Sequence, residues 1–254
     1  MVKIQFLGTG TSQGVPLIGC TCEVCASSDP KDKRLRSSIH VEMDGFSLVV
    51  DTGPDFRYQM LRAGVTSLDA VLFTHGHKDH TAGFDDIRAY NFIQKRDMDV
   101  YCDEYVEEIL RKDFDYVFAD LKYPGVPRAI LHRMRNETFQ INGQSIIPIQ
   151  VYHYKMPVFG FRFGDFTYIT DANRIDDSEI EKIRGSKVVV LNALRRVEHI
   201  SHFTLEQALE MAEIIGAEQT YFTHISHQLG KHTDVEKELP DGVNLAYDTL
   251  TIEV

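Results

Sequence analysis

Short apolar runs recur along the whole chain and predict β-strands. Each run is rich in Val, Ile, Phe and Tyr, and turn-forming residues lie close to its ends, which is typical of strands. Eight strands are predicted in this way, at residues 3–7, 39–42, 47–50, 70–73, 144–151, 158–163, 167–170 and 187–191.

Two helices with recognisable ends lie between the strand-rich stretches. Phe56–Ala63 stops before Gly64, and the helix at 204–215 begins with a Thr-x-x-Gln capping box and is followed by Gly216. Two rounds of strands, each followed by a helix, predict an α/β fold in which two sheets pack face to face with helices outside, an αββα four-layer sandwich. We expect residues 1–254 to form one domain.

Two stretches fit this pattern less well. Residues 113–135 contain several aromatic residues and two prolines. They could line a pocket or an interface, although such a cluster is more often part of the core. Gly8-Thr-Gly10 lacks the lysine and the spacing of a Walker phosphate-binding loop, so we expect a tight turn there.

Composition and charge narrow the range of partners. The 254 residues are 43% hydrophobic and 26% charged, which is ordinary for a globular protein, and the net charge is -11. An acidic surface repels a polyanion, so we expect no stable nucleic-acid binding, whereas a small anion beside bound metal ions is less affected.

The sequence shows no secretory signal and no apolar run near the ~20 residues of a membrane helix. We therefore expect a cytoplasmic protein without membrane contact.

The strongest chemical signal is His75-Gly-His77-Lys-Asp79-His80, which directly follows an apolar strand. Imidazoles and a carboxylate in this arrangement suit zinc, and also iron or manganese. Histidines two positions apart at a strand exit can converge on one ion, which leaves Asp79 and His80 for a second. The alternative is a chance cluster of surface histidines.

This stretch resembles the His-x-His-x-Asp-His signature of the metallo-β-lactamase superfamily. The resemblance implies two divalent ions, zinc or manganese, and an aspartate beneath the metal-binding loop, which is Asp51 here and would orient a ligand. The downstream ligands are supported by their order along the chain and by their positions at strand ends. The implied ligands are His75, His77 and His153 for the first ion and Asp79, His80 and His224 for the second, with Asp171 bridging the two.

A separate cluster contains three of the four cysteines, Cys20, Cys22 and Cys25, whereas Cys102 stands apart. Three thiols at this spacing are typical of metal ligands in a reducing compartment, and Cys102 is interpreted as a small buried residue. A zinc ion would stabilise the loop at about residues 14–36, because metal-binding energy becomes folding energy. The alternative is a reduced loop without metal.

The cysteine cluster also indicates a more specific family within this superfamily. Together with residues 6–16, 51–57 and 83–88, it is similar to the phosphoribosyl 1,2-cyclic phosphate phosphodiesterases of phosphonate breakdown. This resemblance implies a structural zinc held by the three cysteines and a histidine, for which His227 is the candidate. It also implies a small cyclic phosphodiester as substrate.

The predicted mechanism is hydrolysis at phosphorus. Two metal ions ~3.5–4 Å apart can hold a bridging water, lower its pKa toward ~7 and provide the attacking hydroxide. His202 is the candidate acid for the leaving oxygen, because it lies just before a helix N-terminus, where an anion is favoured. The resemblance points to the same histidine, and His199 is the alternative. His202 and the ligand Asp79 are therefore the candidate catalytic residues.

Three other functions share parts of this pattern. A tRNA 3′-processing endonuclease has the same two-metal motif, but such enzymes grip tRNA with a long basic arm that has no counterpart in this sequence. A lactonase or thioesterase is a second alternative, because the ligands alone do not choose carbon or phosphorus. A non-catalytic zinc-binding interaction protein is the third.

We expect a small-molecule phosphodiester as the binding partner, and a homodimer as the default assembly.

Overall fold

The structure is a computed structural model that describes residues 1–121 and 123–254. The strands are β1 (Val2–Gly8), β2 (Ser38–Met43), β3 (Phe46–Val50), β4 (Ala70–Leu72), β5 (Met98–Cys102), β6 (Ala129–Arg133), β7 (Phe139–Ile141), β8 (Gln144–His153), β9 (Met156–Phe163), β10 (Phe166–Tyr168), β11 (Arg174–Ile175), β12 (Val188–Asn192), β13 (Gln219–Thr223), β14 (Val243–Leu245) and β15 (Thr251–Glu253). The helices are α1 (Phe56–Ala63), α2 (Lys78–Thr81), α3 (Arg88–Gln94), α4 (Glu104–Asp113), α5 (Asp115–Phe118), α6 (Asp177–Ile183), α7 (Leu205–Ile215) and α8 (His232–Val235). Within these described ranges, no helix has the length and apolar character needed to cross a membrane.

The strands form two mixed sheets. The order in the first is β15-β1-β2-β3-β4-β5-β6, and in the second it is β11-β8-β9-β10-β12-β13-β14, with β7 pairing with β8 outside that order. In each sheet an antiparallel part is followed by a parallel part, which runs from β3 to β6 in one and from β10 to β14 in the other. Parallel neighbours have their carboxyl ends at the same edge of a sheet, which brings the residues after those strands together.

Apolar side chains fill three layers. Phe6 and Leu72 of the first sheet meet Phe161 of the second between the two sheets. Helices α1, α3 and α4 cover the outer face of the first sheet, and α6 and α7 cover that of the second. This arrangement confirms the predicted αββα sandwich.

All eight predicted strands are present, with bounds that differ by one or two residues. The stretch predicted as 167–170 is Phe166–Tyr168, because the chain leaves the sheet before Asp171, whose φ is positive. Helix α1 has the predicted bounds, and α7 follows a complete capping box formed by Thr204 and Gln207. The strands that were not predicted are short, and polar residues interrupt the apolar pattern of most of them: β5, β6, β7, β11, β13, β14 and β15.

The prediction of a tight turn at residues 8–10 is wrong. Gly8 ends β1, and Gly10 forms parallel bridges with both Arg36 and Ile225. A Cβ atom on Gly8 would lie 1.9 Å from the carbonyl oxygen of Arg36. Glycine is needed here because two backbone segments approach closely, and not because the chain turns.

The first part of the 113–135 segment belongs to the core. Phe114 and Val117 are buried, and they pack with the helices outside the first sheet. Tyr123 is exposed, and strand β6 closes the segment at the edge of the sheet. Lys122 lies outside the described residues.

Candidate metal centre

The predicted metal ligands meet at the edge where parallel strands of both sheets end. His75 lies in the loop after β4, and His153 ends β8. Asp171 follows β10, and His224 directly follows β13. The topology therefore explains why residues distant in sequence form one cluster.

His75, His77 and His153 form the first part of this cluster. Nε2 of His75 lies 3.0 Å from Nδ1 of His77, and the ring centroids of His77 and His153 are 5.1 Å apart. Nδ1 of His153 donates to the carbonyl oxygen of Ser201 at 3.0 Å. This hydrogen bond orients the ring and leaves Nε2 of His153 available to a metal.

Asp171 joins this group to the remaining ligands. Its Oδ2 atom is 3.3 Å from Nε2 of His80 and 3.1 Å from Nδ1 of His224. Oδ2 of Asp79 is 3.2 Å from the same nitrogen of His80. Donor atoms of His75, His80 and Asp171 lie within 4.8 Å of one another, as do those of Asp79, Asp171 and His224. The structure therefore brings all seven predicted ligands together.

The charges in the cluster are strongly coupled. Burial disfavours ionisation of Asp171, but the neighbouring His224 and His80 outweigh it and hold the pKa of this carboxyl well below its ordinary value. Burial likewise opposes protonation of His80, yet the carboxylates of Asp79, Asp171 and Asp51 hold its pKa well above the usual range. Three carboxylates, two of them buried, require positive charge nearby.

Asp51 supports the metal loop (residues 74–81) from below. One oxygen accepts the backbone N–H of Thr74 at 2.8 Å, and the other accepts the Thr74 hydroxyl at 2.8 Å and Nδ1 of His80 at 2.7 Å. Because Nδ1 of His80 is used in this way, its Nε2 atom faces Asp79 and Asp171. Asp51 thus occupies the position that the resemblance implies.

Backbone strain is concentrated at this centre. Asp51, Asp171 and His224 have φ values of 66°, 57° and 55°, a left-handed region that costs a non-glycine residue about 1–3 kcal/mol. Asn192 holds the backbone after Asp171: its Oδ1 accepts the N–H of Ala172 at 2.7 Å, and its Nδ2 donates to the Ala172 oxygen at 2.9 Å. Asn192 was not predicted as a functional residue, although a polar residue at the end of an apolar strand was a usable signal.

His202 lies inside the cluster and His199 lies at its margin. The His202 ring centroid is 4.6 Å from that of His153 and 4.8 Å from that of His224, and its Nδ1 is 3.8 Å from Oδ1 of Asp171. The ring of His199 lies 5.0 Å from that of His202. Burial, followed by the neighbouring His224, lowers the pKa of His202 to about 2, so this imidazole is neutral at neutral pH.

The cysteines form a second cluster with the predicted histidine. Donor atoms of Cys20, Cys22, Cys25 and His227 lie within 4.8 Å of one another. The Sγ atoms of Cys20 and Cys22 are 3.4 and 3.3 Å from Nδ1 of His227. The N–H of Cys25 and the His227 ring lower the pKa of Cys22 to about 6, which favours the thiolate that binds metal. Cys102 is buried elsewhere, as expected, and burial raises its pKa to about 12.

The two clusters share the loop after β13. His224 and His227 lie three positions apart on this loop. Ile225, between them, is held by the residues that follow β1. The N–H of Ile225 donates to the oxygen of Thr9 at 2.9 Å, and the N–H of Thr11 donates to the oxygen of Ile225 at 3.1 Å. A shift of the cysteine cluster would therefore be transmitted to His224.

Comparison with known proteins identifies the family. Residues 47–225 match the family model of the beta-lactamase superfamily domain. The chain belongs to the beta-lactamase superfamily. The crystal structure of a diphosphatase from the PhnP family of this superfamily is 41% identical, with a TM-score of 0.94 over 100% of this chain and 98% of that one. At this identity and coverage the chain is also a member of the PhnP family, which confirms the resemblance inferred from its sequence.

Two further relatives add less: one is a longer protein, and the other has a lower sequence identity. An octanoyltransferase of Porphyromonas gingivalis is 38% identical over 252 residues, which are 98% of this chain and 51% of that protein. The chain thus spans about half the length of this curated relative. Zinc-bound PqqB from Methylobacterium extorquens is 22% identical, with a TM-score of 0.75 over 99% of this chain and 100% of that one, and it shows the fold alone.

This member of the beta-lactamase superfamily is a metal-dependent hydrolase, and its residues fit divalent metal ions. Among the described residues, the buried Nε2 atoms of His80 and His224 have no hydrogen-bond partner. Buried polar atoms are seldom left in this state, because the loss of water is then uncompensated. Imidazole nitrogens and carboxylate oxygens together are a suitable donor set for such ions.

Asp51→Asn should weaken binding of one metal ion by roughly 10–100-fold. Whichever way the amide is turned, its NH2 group opposes an N–H of Thr74 or of His80. The measurement is calorimetric titration of the metal-free protein with zinc or manganese. Asp99→Asn is the matched control, because it changes a surface Asp–His pair with His132 (2.6 Å) and should leave affinity unchanged. Parent affinity for every ion in Asp51→Asn would contradict the supporting role.

Cys22→Ser should lower bound zinc by about one ion per chain, because a hydroxyl replaces one of four donors in a site that contributes to folding. Elemental analysis of the purified protein measures the change. Cys102→Ala, which removes a thiol outside the cluster, should keep the zinc content of the parent. Unchanged zinc in Cys22→Ser would refute a structural zinc at this position.

Proposed function

We propose that the chain hydrolyses a small phosphodiester, such as a ribose 1,2-cyclic phosphate, with two divalent ions, zinc or manganese. The observation that carries the proposal is the position of Asp171, whose carboxylate lies within 4.8 Å of donor atoms from both proposed sets, namely His75 and His153 of the first and Asp79, His80 and His224 of the second. A carboxylate that reaches both sets of ligands is what a pair of ions needs. The proposed ligands are His75, His77 and His153 for the first ion and Asp79, His80 and His224 for the second, with Asp171 shared.

The protein residues set the ligand positions before substrate arrives. When bound, such an ion pair supplies Lewis acidity and a water of lowered pKa for in-line attack at phosphorus. Asp51 orients His80, and the Ser201 carbonyl oxygen orients His153. Ligands fixed by such hydrogen bonds need little reorganisation during the reaction.

His202 is the proposed proton donor to the leaving oxygen. Because its imidazole is neutral in the free protein, it must take up a proton from solvent when the anionic substrate binds, and that proton is the one it donates. Its ring stacks beside His224 within the cluster, whereas the ring of His199 is less buried. Helix α7 begins at Leu205, so the partial positive charge of its N-terminus lies close to this histidine. An anionic phosphodiester next to the neutral imidazole favours its protonated form.

The cysteine cluster is the proposed structural zinc site. Three thiols and one imidazole are a complete tetrahedral set for this ion. The zinc would hold the loop at about residues 14–36 against the loop that carries His224. The proposed ligands are Cys20, Cys22, Cys25 and His227.

The family relationship supports phosphorus over carbon as the site of attack. The relative with 41% identity is a diphosphatase, so its reaction is also at phosphorus. The name octanoyltransferase belongs to a protein about twice as long as the matched region, so it supports an acyl substrate only weakly. A net charge of -11 disfavours a tRNA substrate, and we propose no stable nucleic-acid complex.

The proposal is tested by hydrolysis of a substrate panel with metal-replete protein. The panel contains a ribose 1,2-cyclic phosphate, a nucleoside 2′,3′-cyclic phosphate, a substituted diphosphate, an aryl phosphodiester and a simple lactone. We expect turnover of the phosphorus esters, with preference for the sugar cyclic phosphate. Lactone turnover without phosphodiester turnover would contradict the proposed function.

His202→Ala should lower the rate on the sugar cyclic phosphate roughly 10²–10⁴-fold, with its metal content unchanged. The loss should be smaller on the aryl phosphodiester, because an aryl leaving group needs no proton. His199→Ala is the matched control and should keep most of the activity. An equal loss on both substrates in His202→Ala would contradict the acid role.

A further inference from the structure

The exit of β12 lies between two strands that lead to metal ligands, but it carries no ligand itself. In the second sheet β12 pairs in parallel with β10 on one side and with β13 on the other. Asp171 follows β10 and His224 follows β13, whereas β12 ends with Asn192, which is fully buried. A buried amide needs hydrogen-bond partners, because the loss of water is otherwise uncompensated. The partners of Asn192 therefore indicate its role.

The Asn192 side chain binds both backbone groups of Ala172. Its Oδ1 accepts the N–H of Ala172 at 2.7 Å, and its Nδ2 donates to the carbonyl oxygen of Ala172 at 2.9 Å. The N–H of Ala172 belongs to the peptide group that joins it to Asp171, whose φ of 57° is uncommon for a residue other than glycine. The two hydrogen bonds hold this strained backbone, and with it the direction of the Asp171 carboxylate.

The same backbone group also holds the loop of His202. The carbonyl oxygen of Ala172 accepts the N–H of Phe203 at 2.8 Å, and the carbonyl oxygen of Phe203 accepts the N–H of Leu194 at 3.0 Å. Phe203 directly follows His202, and Leu194 lies in the exit of β12. Nδ1 of His202 lies 3.8 Å from Oδ1 of Asp171. The bonds around Ala172 therefore determine how the imidazole and the carboxylate lie relative to each other.

We propose that Asn192 is a positioning residue, which holds the Asp171 carboxylate and the His202 imidazole in the relative position that the reaction needs. The inference rests on the proposed function, in which two ions share Asp171 and His202 protonates the leaving oxygen. Asn192 acts through the backbone of Ala172, because both of its hydrogen bonds go there. A displacement of about 1 Å in such a site is enough to lower a rate roughly 100-fold.

Asn91 provides a matched control, because it binds a backbone in the same way outside the metal centre. Its Oδ1 accepts the N–H of Arg128 at 2.9 Å, and its Nδ2 donates to the carbonyl oxygen of Arg128 at 2.9 Å. Asn91 is 5% exposed and lies on α3, on the outer side of the first sheet. Asn192→Leu and Asn91→Leu should each lower Tm by roughly 2–10 °C, since each removes the hydrogen bonds of a buried amide.

Two readouts need no substrate. In calorimetric titration of the metal-free protein with zinc, Asn192→Leu should weaken binding of at least one ion of the histidine cluster by roughly 10–100-fold. In NMR spectra of the zinc-loaded protein, the His202 ring signals, assigned by their absence in His202→Ala, should shift in Asn192→Leu. Asn91→Leu should keep both the zinc affinity and the His202 signals of the parent.

The third readout compares two substrates at saturating metal. Asn192→Leu should lower kcat for the sugar cyclic phosphate roughly 10-fold more than kcat for the aryl phosphodiester, because only the sugar leaving group needs the proton of His202. A partly unfolded sample lowers both rates by the same factor and leaves their ratio unchanged. Asn192→Thr keeps at most one of the two hydrogen bonds and suits a strand, so it gives the same comparison if Asn192→Leu does not fold.

The substrate-free readouts separate this proposal from the proposed function. Absence of hydrolysis by the parent would overturn the proposed function alone, and zinc affinity and the His202 signals would then decide the role of Asn192. In Asn192→Leu, parent zinc affinity, unmoved His202 signals or an equal loss of kcat on both substrates would each overturn that role.

Discussion

Three carboxylates surround His80 at the edge shared by the two sheets: those of Asp51 and Asp171 are buried, and that of Asp79 is half-buried. Negative charge in this number is stable in a protein interior only when positive charge compensates it. Without metal, a protonated His80 supplies part of that compensation. In the proposed site its Nε2 atom would bind a metal ion instead, and the ions would supply the positive charge. His80 and Asp171 follow strands of different sheets, so the same requirement acts where the two sheets meet, whereas the apolar core between the sheets packs them together.

The region that connects the metal centre to the cysteine cluster depends on a buried polar network. Arg34 is almost fully buried and donates to Oγ1 of Thr9 at 2.8 Å and to the carbonyl oxygen of Ala246 at 2.6 Å. Asp248 accepts the N–H of Thr9 at 3.0 Å. These bonds fix the exit of β1, which in turn positions Ile225. We therefore expect metal binding in either cluster to be coupled to folding of the same loops.

The fold could be predicted because apolar runs define most of its strands. Within the cluster, His75 to His80 follow from a strong local pattern, whereas His153, Asp171 and His224 could be named only through the family resemblance. Residues that act through the backbone were harder to predict. Asn192 holds loops that meet only in three dimensions, and the strain at Asp171 depends on a φ angle that the sequence does not reveal. The role of Gly8 was misjudged because glycine serves turns and close backbone approach equally well.

We propose that seven side chains hold two ions that share Asp171. Anomalous diffraction at the metal absorption edge from crystals of the zinc-loaded chain would locate these ions. We expect two peaks about 3.5–4 Å apart on either side of the Asp171 carboxylate, and a third peak among the three cysteines and His227. A single ion among the histidines, or a pair that does not contact Asp171, would contradict this proposal.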